Sequence, residues 1–415
     1  MTSLQPVLPC VYAATLPDGI TSPELVDTVE STLRTYPSML AAQAELEAAG
    51  LDLRASRWSR FPSLSIESYA TAKDGGSTSN AIAFEQPIWS GGRINASIRQ
   101  SRARSRIALA RLQETRLDLA LRTAQAYIEL QRQSRRRTIL EESHEDHRAL
   151  IDSMARRVDQ QISPAADLQL AEARARQIEA EMLQARAAAE IALQRIRELT
   201  GNPEWNQLAQ LRYQEDLHQV LPNGFLDESK IYNPRRQRLE AEADTTRAET
   251  DLRRAALLPQ IGVQYIHYVG DGATNEDRVG LVVRYQTDAG LSRVSQYGAA
   301  TQRERSAALS ILAADREVSE AIATDLTENL TARSRISAAQ QASAATDSVT
   351  DSFQRQFAAG RRTWPEVLNA VREAVTARLT LVDAESSAIN SQLRLLLRSG
   401  RWQPGTDSAV ETSSP

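Results

Sequence analysis

No glycine occurs between Gly92 and Gly201, and the only proline in that stretch is Pro164. Glycine and proline are the residues that interrupt helices most strongly. Residues 93–160 are therefore predicted to run as one helix, about 100 Å long at about 1.5 Å per residue. That is far beyond the about 10–14 residues of an average globular helix. A second stretch behaves alike: no proline separates Pro259 from Pro365, and Gly298 is the only glycine within 291–359. Each long helix is followed by a break and a shorter return helix, over 165–199 and 366–398. The leading segments 38–60 and 235–257 supply the missing length. Each half then predicts one long helix flanked by two shorter ones stacked end to end, a rod with strands at one end.

The two stretches are halves of a duplication. Tyr36-Pro37 and Asn233-Pro234 open Ala-rich, charged segments that close on Pro62 and Pro259, and both proline pairs stand 197 residues apart. Further along, Asp167-Leu168 matches Glu366-Val367 and Thr200-Gly201 matches Ser399-Gly400, at an offset of 199. After Pro62, Leu64 and Ile66 alternate with Ser65 and Glu67. A turn at Lys73–Ser77 follows, then Ile82, Phe84 and Ile88. The second half repeats the pattern with Ile261, Val263 and Tyr265, then Gly270-Asp271-Gly272, then Val279, Leu281, Val283 and Tyr285. Period-2 alternation around turn residues predicts two hairpins. Their strands, over 63–71, 80–89, 260–269 and 278–287, have the length of about 9–11 residues that a tilted strand needs to cross hydrocarbon.

Composition excludes several classes. The net charge is −4 with a pI of about 5.8, which leaves no basic footprint for nucleic acid. Cys10 is the sole cysteine, so disulfide frameworks and multi-cysteine metal sites are out. No stretch of about 20 apolar residues free of charge exists, which argues against membrane-spanning helices but not against a transmembrane β-barrel. Residues 1–14 are apolar and uncharged with small side chains at Val11 and Ala13, and read as the remnant of a signal peptide whose basic start lies upstream. Cys10 would leave with it. A lipoprotein reading is the weaker one, because no small residue precedes Cys10.

Four strands with open edges do not survive alone in lipid, where every backbone amide needs a partner. Closure has to come from several copies: two would supply eight strands and three would supply twelve, both within the barrel range. Alanine-rich helix faces, such as Ala120, Ala124 and Ala126 or Ala185–Ala189, allow rods to pack closely side by side. Alternation along the strands places Glu67, Glu85 and Arg284 toward the lumen of such a barrel, with Leu281, Val283 and Tyr285 toward lipid. Trp89 sits where a strand meets the helices, as an interfacial or a packed corner aromatic.

Over residues 22–400 the chain resembles the TolC family of outer-membrane factors. The resemblance rests on Gln86-Pro87-Ile88-Trp89-Ser90-Gly91-Gly92-Arg93, on Ala124–Leu130, on Leu199-Thr200-Gly201, and on Phe357-Ala358-Ala359-Gly360-Arg361 through Val367-Leu368-Asn369-Ala370. It implies a mainly α fold with a small β part: a homotrimer whose long helical hairpins form a periplasmic α-barrel and whose strands form a twelve-stranded outer-membrane barrel. It also implies a periplasmic membrane-fusion adaptor and an inner-membrane ABC transporter or RND pump as partners, outer-membrane lipid around the barrel, no cofactor and no catalysis. Residues 22–201 and 234–400 are the two repeats and 202–233 an equatorial connection, with 401–415 a disordered tail. The segment Gln356–Ala370 is most similar to channels of type I secretion systems that export large adhesins, with multidrug efflux as the nearest alternative.

The resemblance further implies a periplasmic gate at the hairpin tips, 156–166 and 355–366. The family's paired gate aspartates fall here on Glu366 and Asn369, so only one position is charged. Three Glu366 carboxylates around a threefold axis would attract cations and raise one another's pKa; the plainer reading is an acid favoured in the first turn after Pro365. The family's latch positions fall on Asp167, Phe357 and Arg362. Phe357 lacks the usual tyrosine hydroxyl, which leaves Arg362 to bond Asp167 or a hairpin carbonyl.

Other motifs carry less. His144 and His147 have an i, i+3 spacing suited to a metal, with no third ligand identifiable. Arg132 and Arg135–Arg137, near Glu141 and Glu142, read as an ion-paired helix face. The glycine pairs at 75–76 and 91–92 lack phosphate-loop spacing. No catalytic triad or carboxylate pair stands out. The competitor from another class, a soluble periplasmic adaptor of long helical hairpins, does not account for the duplicated amphipathic strands.

Overall fold

A computed structural model describes residues 22–70, 78–213, 225–270, 277–285 and 290–405. The signal remnant with Cys10, the Lys73–Ser77 turn, Asp271 and Gly272, His218, the 286–287 end of the expected fourth strand and the tail beyond 405 lie outside the described residues.

The helices are α1 (Pro23–Thr35), α2 (Pro37–Trp58), α3 (Arg93–Asp159), α4 (Ala165–Thr200), α5 (Phe225–Tyr232), α6 (Pro234–Ala255), α7 (Ser292–Ala358) and α8 (Trp364–Arg398). The strands are β1 (Ser63–Ala70), β2 (Thr78–Trp89), β3 (Gln260–Gly270) and β4 (Asp277–Arg284). The long helices α3 and α7 each have 67 residues. Helices α1 and α5 are additions to the sequence reading. Each is a short helix ended by the proline that opens the next one, because a residue before proline is pushed out of the helical region. Tyr36 accordingly sits at φ −70°, ψ 128°. The Ser22 hydroxyl caps α1 by accepting the Leu25 N–H at 3.2 Å, and Leu25, Val29 and Leu33 bury one stripe of it.

Two compact units divide the chain: Met1–Met39 with Arg116–Asn233 and Val318–Pro415, and Leu40–Thr115 with Pro234–Glu317. In the second unit, α6 packs through Ala241, Ala248 and Ala255, buried at every seventh position. That heptad spacing is a coiled-coil seam. Arginine–carboxylate pairs border it: Arg99–Asp251, Arg106–Asp244 and Arg238–Glu114 toward α3, and Arg236–Asp315 and Arg247–Glu304 toward α7.

The same unit holds one antiparallel sheet in the order β1-β2-β3-β4, so the hairpins of the two repeats lie side by side through β2 and β3. The register aligns Leu64, Phe84, Tyr265 and Val279 across the four strands, and next to them Ser63, Glu85, Gln264 and Gly280. Since partners across a ladder share a face, one face carries Leu64, Ile66, Ile82, Phe84, Val279, Leu281 and Val283. It also carries Gln86, His267 and Asp277, while the other face carries Glu67, Glu85, Gln264 and Arg284 among Ala81, Ala83, Ile266 and Val282. Most apolar members are exposed in the single chain, Val279 at 74% and Ile66 at 70%. Pro87 contributes no N–H to the ladder, and the register shifts between Pro87 and Trp89. Within the chain, β1 and β4 are sheet edges.

In the first unit, α3, α4 and α8 meet in a buried cluster near both hairpin turns, Met154, Ala171, Trp364, Val367, Leu368 and Val371, with Phe353 and Phe357 of α7 packed against it. Further along, Gly201 ends α4 at φ 66°, the left-handed conformation that glycine adopts without a Cβ clash.

Candidate functional site

The turn between α7 and α8 begins at Gly360 (φ 72°), whose N–H donates to the Phe357 carbonyl at 2.9 Å. Helix α8 then starts with a capping box. The Thr363 backbone N–H and hydroxyl both donate to Glu366 Oε2 at 2.8 Å, and Arg362 Nη1 donates to Glu366 Oε1 at 2.7 Å. Hydrogen bonds from the Thr363 backbone and hydroxyl, then from Arg362, lower the Glu366 pKa to about 2. The chain's own contacts thus act on Glu366 in the opposite direction to a crowded carboxylate ring. The capping box also starts α8 at Trp364, two residues before the expected 366.

Arg362 departs from its expected partners. It reaches neither Asp167 nor a hairpin carbonyl: its Nε donates to Gln356 Oε1 at 3.2 Å and its guanidinium lies 4.1 Å from the Phe353 ring centroid. The physical reason is reach, since Glu366 lies four residues away on the first turn of α8 and presents a carboxylate to the same guanidinium. Asp167 joins the cluster through its main chain, its carbonyl accepting the Trp364 indole N–H at 2.9 Å. Phe357 packs on Trp364 with ring centroids 5.1 Å apart, and Arg157 lies 4.7 Å from its centroid. Asn369 is exposed one turn beyond Glu366.

On the polar sheet face, Arg284 makes a two-pronged contact with Glu85, Nη1 to Oε1 and Nη2 to Oε2 both at 2.5 Å. The two residues are on β4 and β2, with β3 between them. Gly262 makes the crossing feasible: a Cβ there would meet the Gln86 carbonyl at 3.2 Å and Glu85 Oε1 at 3.4 Å. Glu67 is on the same face, opposite Ala81.

The profile of the family described as Outer membrane efflux protein matches residues 28–202 and 226–401, nearly the whole chain in two blocks. The chain belongs to the outer membrane efflux protein family. This efflux-family chain also shares its fold with solved structures. The outer-membrane channel OprN is 19% identical with a TM-score of 0.81, covering 93% of this chain and 92% of that one. The outer membrane protein VceC of Vibrio cholerae is 17% identical with a TM-score of 0.81, covering 91% and 96%. The open state of the MtrE outer membrane channel of Neisseria gonorrhoeae is 15% identical with a TM-score of 0.78, covering 91% and 89%. No curated protein matches it by sequence.

The efflux-family chain is therefore a TolC-like outer-membrane factor, located in the outer membrane with a periplasmic extension, and a transport conduit rather than an enzyme. Channels of this family are trimeric and work with periplasmic adaptors and inner-membrane transporters. The adaptor reading falls with this assignment.

Several contacts of this outer-membrane factor escape the sequence reading. Tyr127 and Gln131, one turn apart on α3, each pair like a peptide group with the extended segment after α4. The Tyr127 hydroxyl accepts the Ala209 N–H at 2.7 Å, and Gln131 exchanges two bonds with Leu211 at 3.0 and 3.2 Å. The match is geometric, since four helical residues rise about 6 Å and two extended residues about 6.6 Å. Trp205, at the start of that segment, donates its indole N–H to Thr28 Oγ1 at 3.1 Å.

The arginine run pairs both along α3, where Arg132 also bonds Glu129 at 2.8 and 2.9 Å, and across helices. Arg132 and Arg136 bond Asp383 and Arg135 bonds Glu385, while Arg137 reaches Glu141. His147 is buried with Nδ1 at 2.8 Å from the Ser143 carbonyl, and burial lowers its pKa. Among the described residues no group of three or more His, Cys, Asp or Glu is placed to hold a metal.

Proposed function

We propose that this outer-membrane factor is the passive conduit of a type I protein secretion machine, assembled as a homotrimer with a periplasmic adaptor and an inner-membrane ABC transporter. The observation that carries the conduit is the register of the sheet, with one mainly apolar exposed face, one face carrying Glu67, Glu85, Gln264 and Arg284, and two edges left for neighbouring copies. In this reading Glu67, Glu85 and Arg284 line the barrel lumen. Glu366 and Asn369 line the entrance, and Asp167, Phe357 and Arg362 hold the tips in one arrangement. The protein cargo is supported by the tip segment Gln356–Ala370. The deciding experiment is deletion of the gene followed by an assay of a surface-displayed adhesin and of drug susceptibility. Loss of display with unchanged susceptibility is expected; unchanged display overturns the protein cargo.

A second reading, export of small molecules by an RND pump through the same channel, is favoured by the efflux description of the family. Increased drug sensitivity in the same deletion is its signature. The entrance assignment has its own test. Glu366→Ala should lower the cation selectivity of the purified channel in a planar bilayer, and unchanged selectivity argues against a lumen position.

A further inference from the structure

Glu85 and Arg284 stand 199 residues apart, the offset that also relates Gly91 to Gly290 and the first residues of α3 and α7. They are therefore the same position of the two repeats, one carrying an acid and the other a base. Glu85 lies beside Gln264 and Arg284 beside Gln260 on β3, a diagonal that the two side chains span, so duplicated positions that kept one sign would set like charges against each other on one face. Opposite signs instead close into a bidentate pair across β3, and the absence of a side chain at Gly262 leaves room for the crossing. Fork-to-fork geometry fixes both groups in place and cancels their fields at short range.

We propose that the Glu85–Arg284 pair sets the ion selectivity of the barrel by making a charge-neutral ring, one pair per copy, so that neither sign of charge is filtered at that level. The inference rests on the channel reading above. An unpaired ring of three like charges in a narrow lumen selects against ions of its own sign. The pair is thus a specificity-determining element of the conduit, acting by neutralisation rather than by attraction.

The test is the potassium-to-chloride permeability ratio of the full-length purified protein in planar bilayers. Glu85→Gln leaves the guanidinium and should shift the ratio at least about threefold toward chloride. Arg284→Gln leaves the carboxylate and should shift it at least about threefold toward potassium. Both shifts should be larger in 0.1 M than in 1 M salt, because the screening length falls from about 10 Å to about 3 Å. The swapped pair, Glu85→Arg with Arg284→Glu, keeps the ring neutral and should restore the parental ratio. Two single variants with the parental ratio, or with shifts of the same sign, overturn the proposal. If a single substitution blocks insertion, the swapped pair decides, and a ratio changed threefold or more counts against neutralisation. Absence of any conductance from the parental protein instead overturns the channel reading itself.

Discussion

Gln161 and Gly360 hold the same left-handed turn position in the two repeats, at φ 57° and φ 72°, one after α3 and the other after α7. A side chain at positive φ brings Cβ against the carbonyl oxygen and costs about 1–2 kcal/mol, a cost glycine escapes. Gln161→Gly should therefore stabilise the first tip by up to about 1 kcal/mol after its extra unfolded-state entropy is counted. Gly360→Ala should destabilise the second tip by a similar amount. Hydrogen exchange of residues 155–165 and 355–366 reads both, and slower exchange in Gly360→Ala would contradict the strain argument.

Trp364 is 2% exposed, stacks on Phe357 and ties α8 to the Asp167 carbonyl. Trp364→Phe keeps most of the packing and loses one hydrogen bond, for an expected cost of about 1–2 kcal/mol. Trp364→Ala adds a cavity and should cost about 3–5 kcal/mol. The two variants separate the indole N–H from the ring volume, again by local hydrogen exchange at the tips. Equal effects would show that the bond to Asp167 matters more than the packing.

The capping box makes tip stability dependent on acid. Glu366 has a folded-state pKa of about 2, below the ordinary glutamate value of about 4.3. A depressed carboxylate contributes stability above the unfolded value and loses it as pH falls through the folded one. Opening of the α8 amino terminus should thus be insensitive to pH above about 4.5 and rise between about 4 and 2. Glu366→Gln should flatten that dependence. A parental tip that opens between pH 5 and 7 would mean that the carboxylate is not held this way.

Tyr127→Phe removes the acceptor of the Ala209 N–H while leaving the ring packed edge-on against Trp205. The Ala209 N–H is half-buried, so leaving it without this partner should cost about 1 kcal/mol, the low end of the range for a buried donor. The expected result is faster proteolysis within 205–213, with Gln131→Leu acting alike. If the neighbouring rungs are coupled, the double variant should depart from the sum of the single effects.

Asp325 is 3% exposed and accepts from Arg394 at 2.8 Å and Arg398 at 2.5 Å. Asp325→Ala takes the carboxylate from Arg398 and leaves Arg394 with Glu328 alone, and should cost up to about 3 kcal/mol. The Arg99–Asp251 pair is about half exposed at both ends, so Asp251→Ala should cost no more than about 1 kcal/mol. Urea titration of the detergent-solubilised protein compares the two, and equal midpoints would remove the distinction.

The legible part of this architecture is local in origin. The 67-residue helices follow from the spacing of glycine and proline, and the paired hairpins from period-2 alternation after Pro62 and Pro259. The duplication made each reading a check on the other. Even the division of the sheet into apolar and polar faces was present in the order of residues, because a strand sends neighbours to opposite sides.

What escaped was of two kinds. Helices α1 and α5 are short, and the prolines that end them read equally well as the opening of the segments that follow. The partners of charged side chains were the larger gap. Arg362 was matched to Asp167 by family position yet bonds Glu366, and Arg135 finds Glu385, 250 residues along the chain, rather than Glu141 or Glu142 on its own helix.

The sequence by itself determined where helices and strands run, that the plan is duplicated, and which strand face is polar, since break residues and alternation act through the backbone within a few residues. Only the tertiary structure decided that Glu85 meets Arg284 across an intervening strand, that Trp364 seizes the Asp167 carbonyl, and that Tyr127 and Gln131 hold the segment at 209–211. Those contacts join residues up to about 200 apart in the chain, and a side chain's choice among several partners of equal chemistry is made by distance in space, which no local pattern encodes.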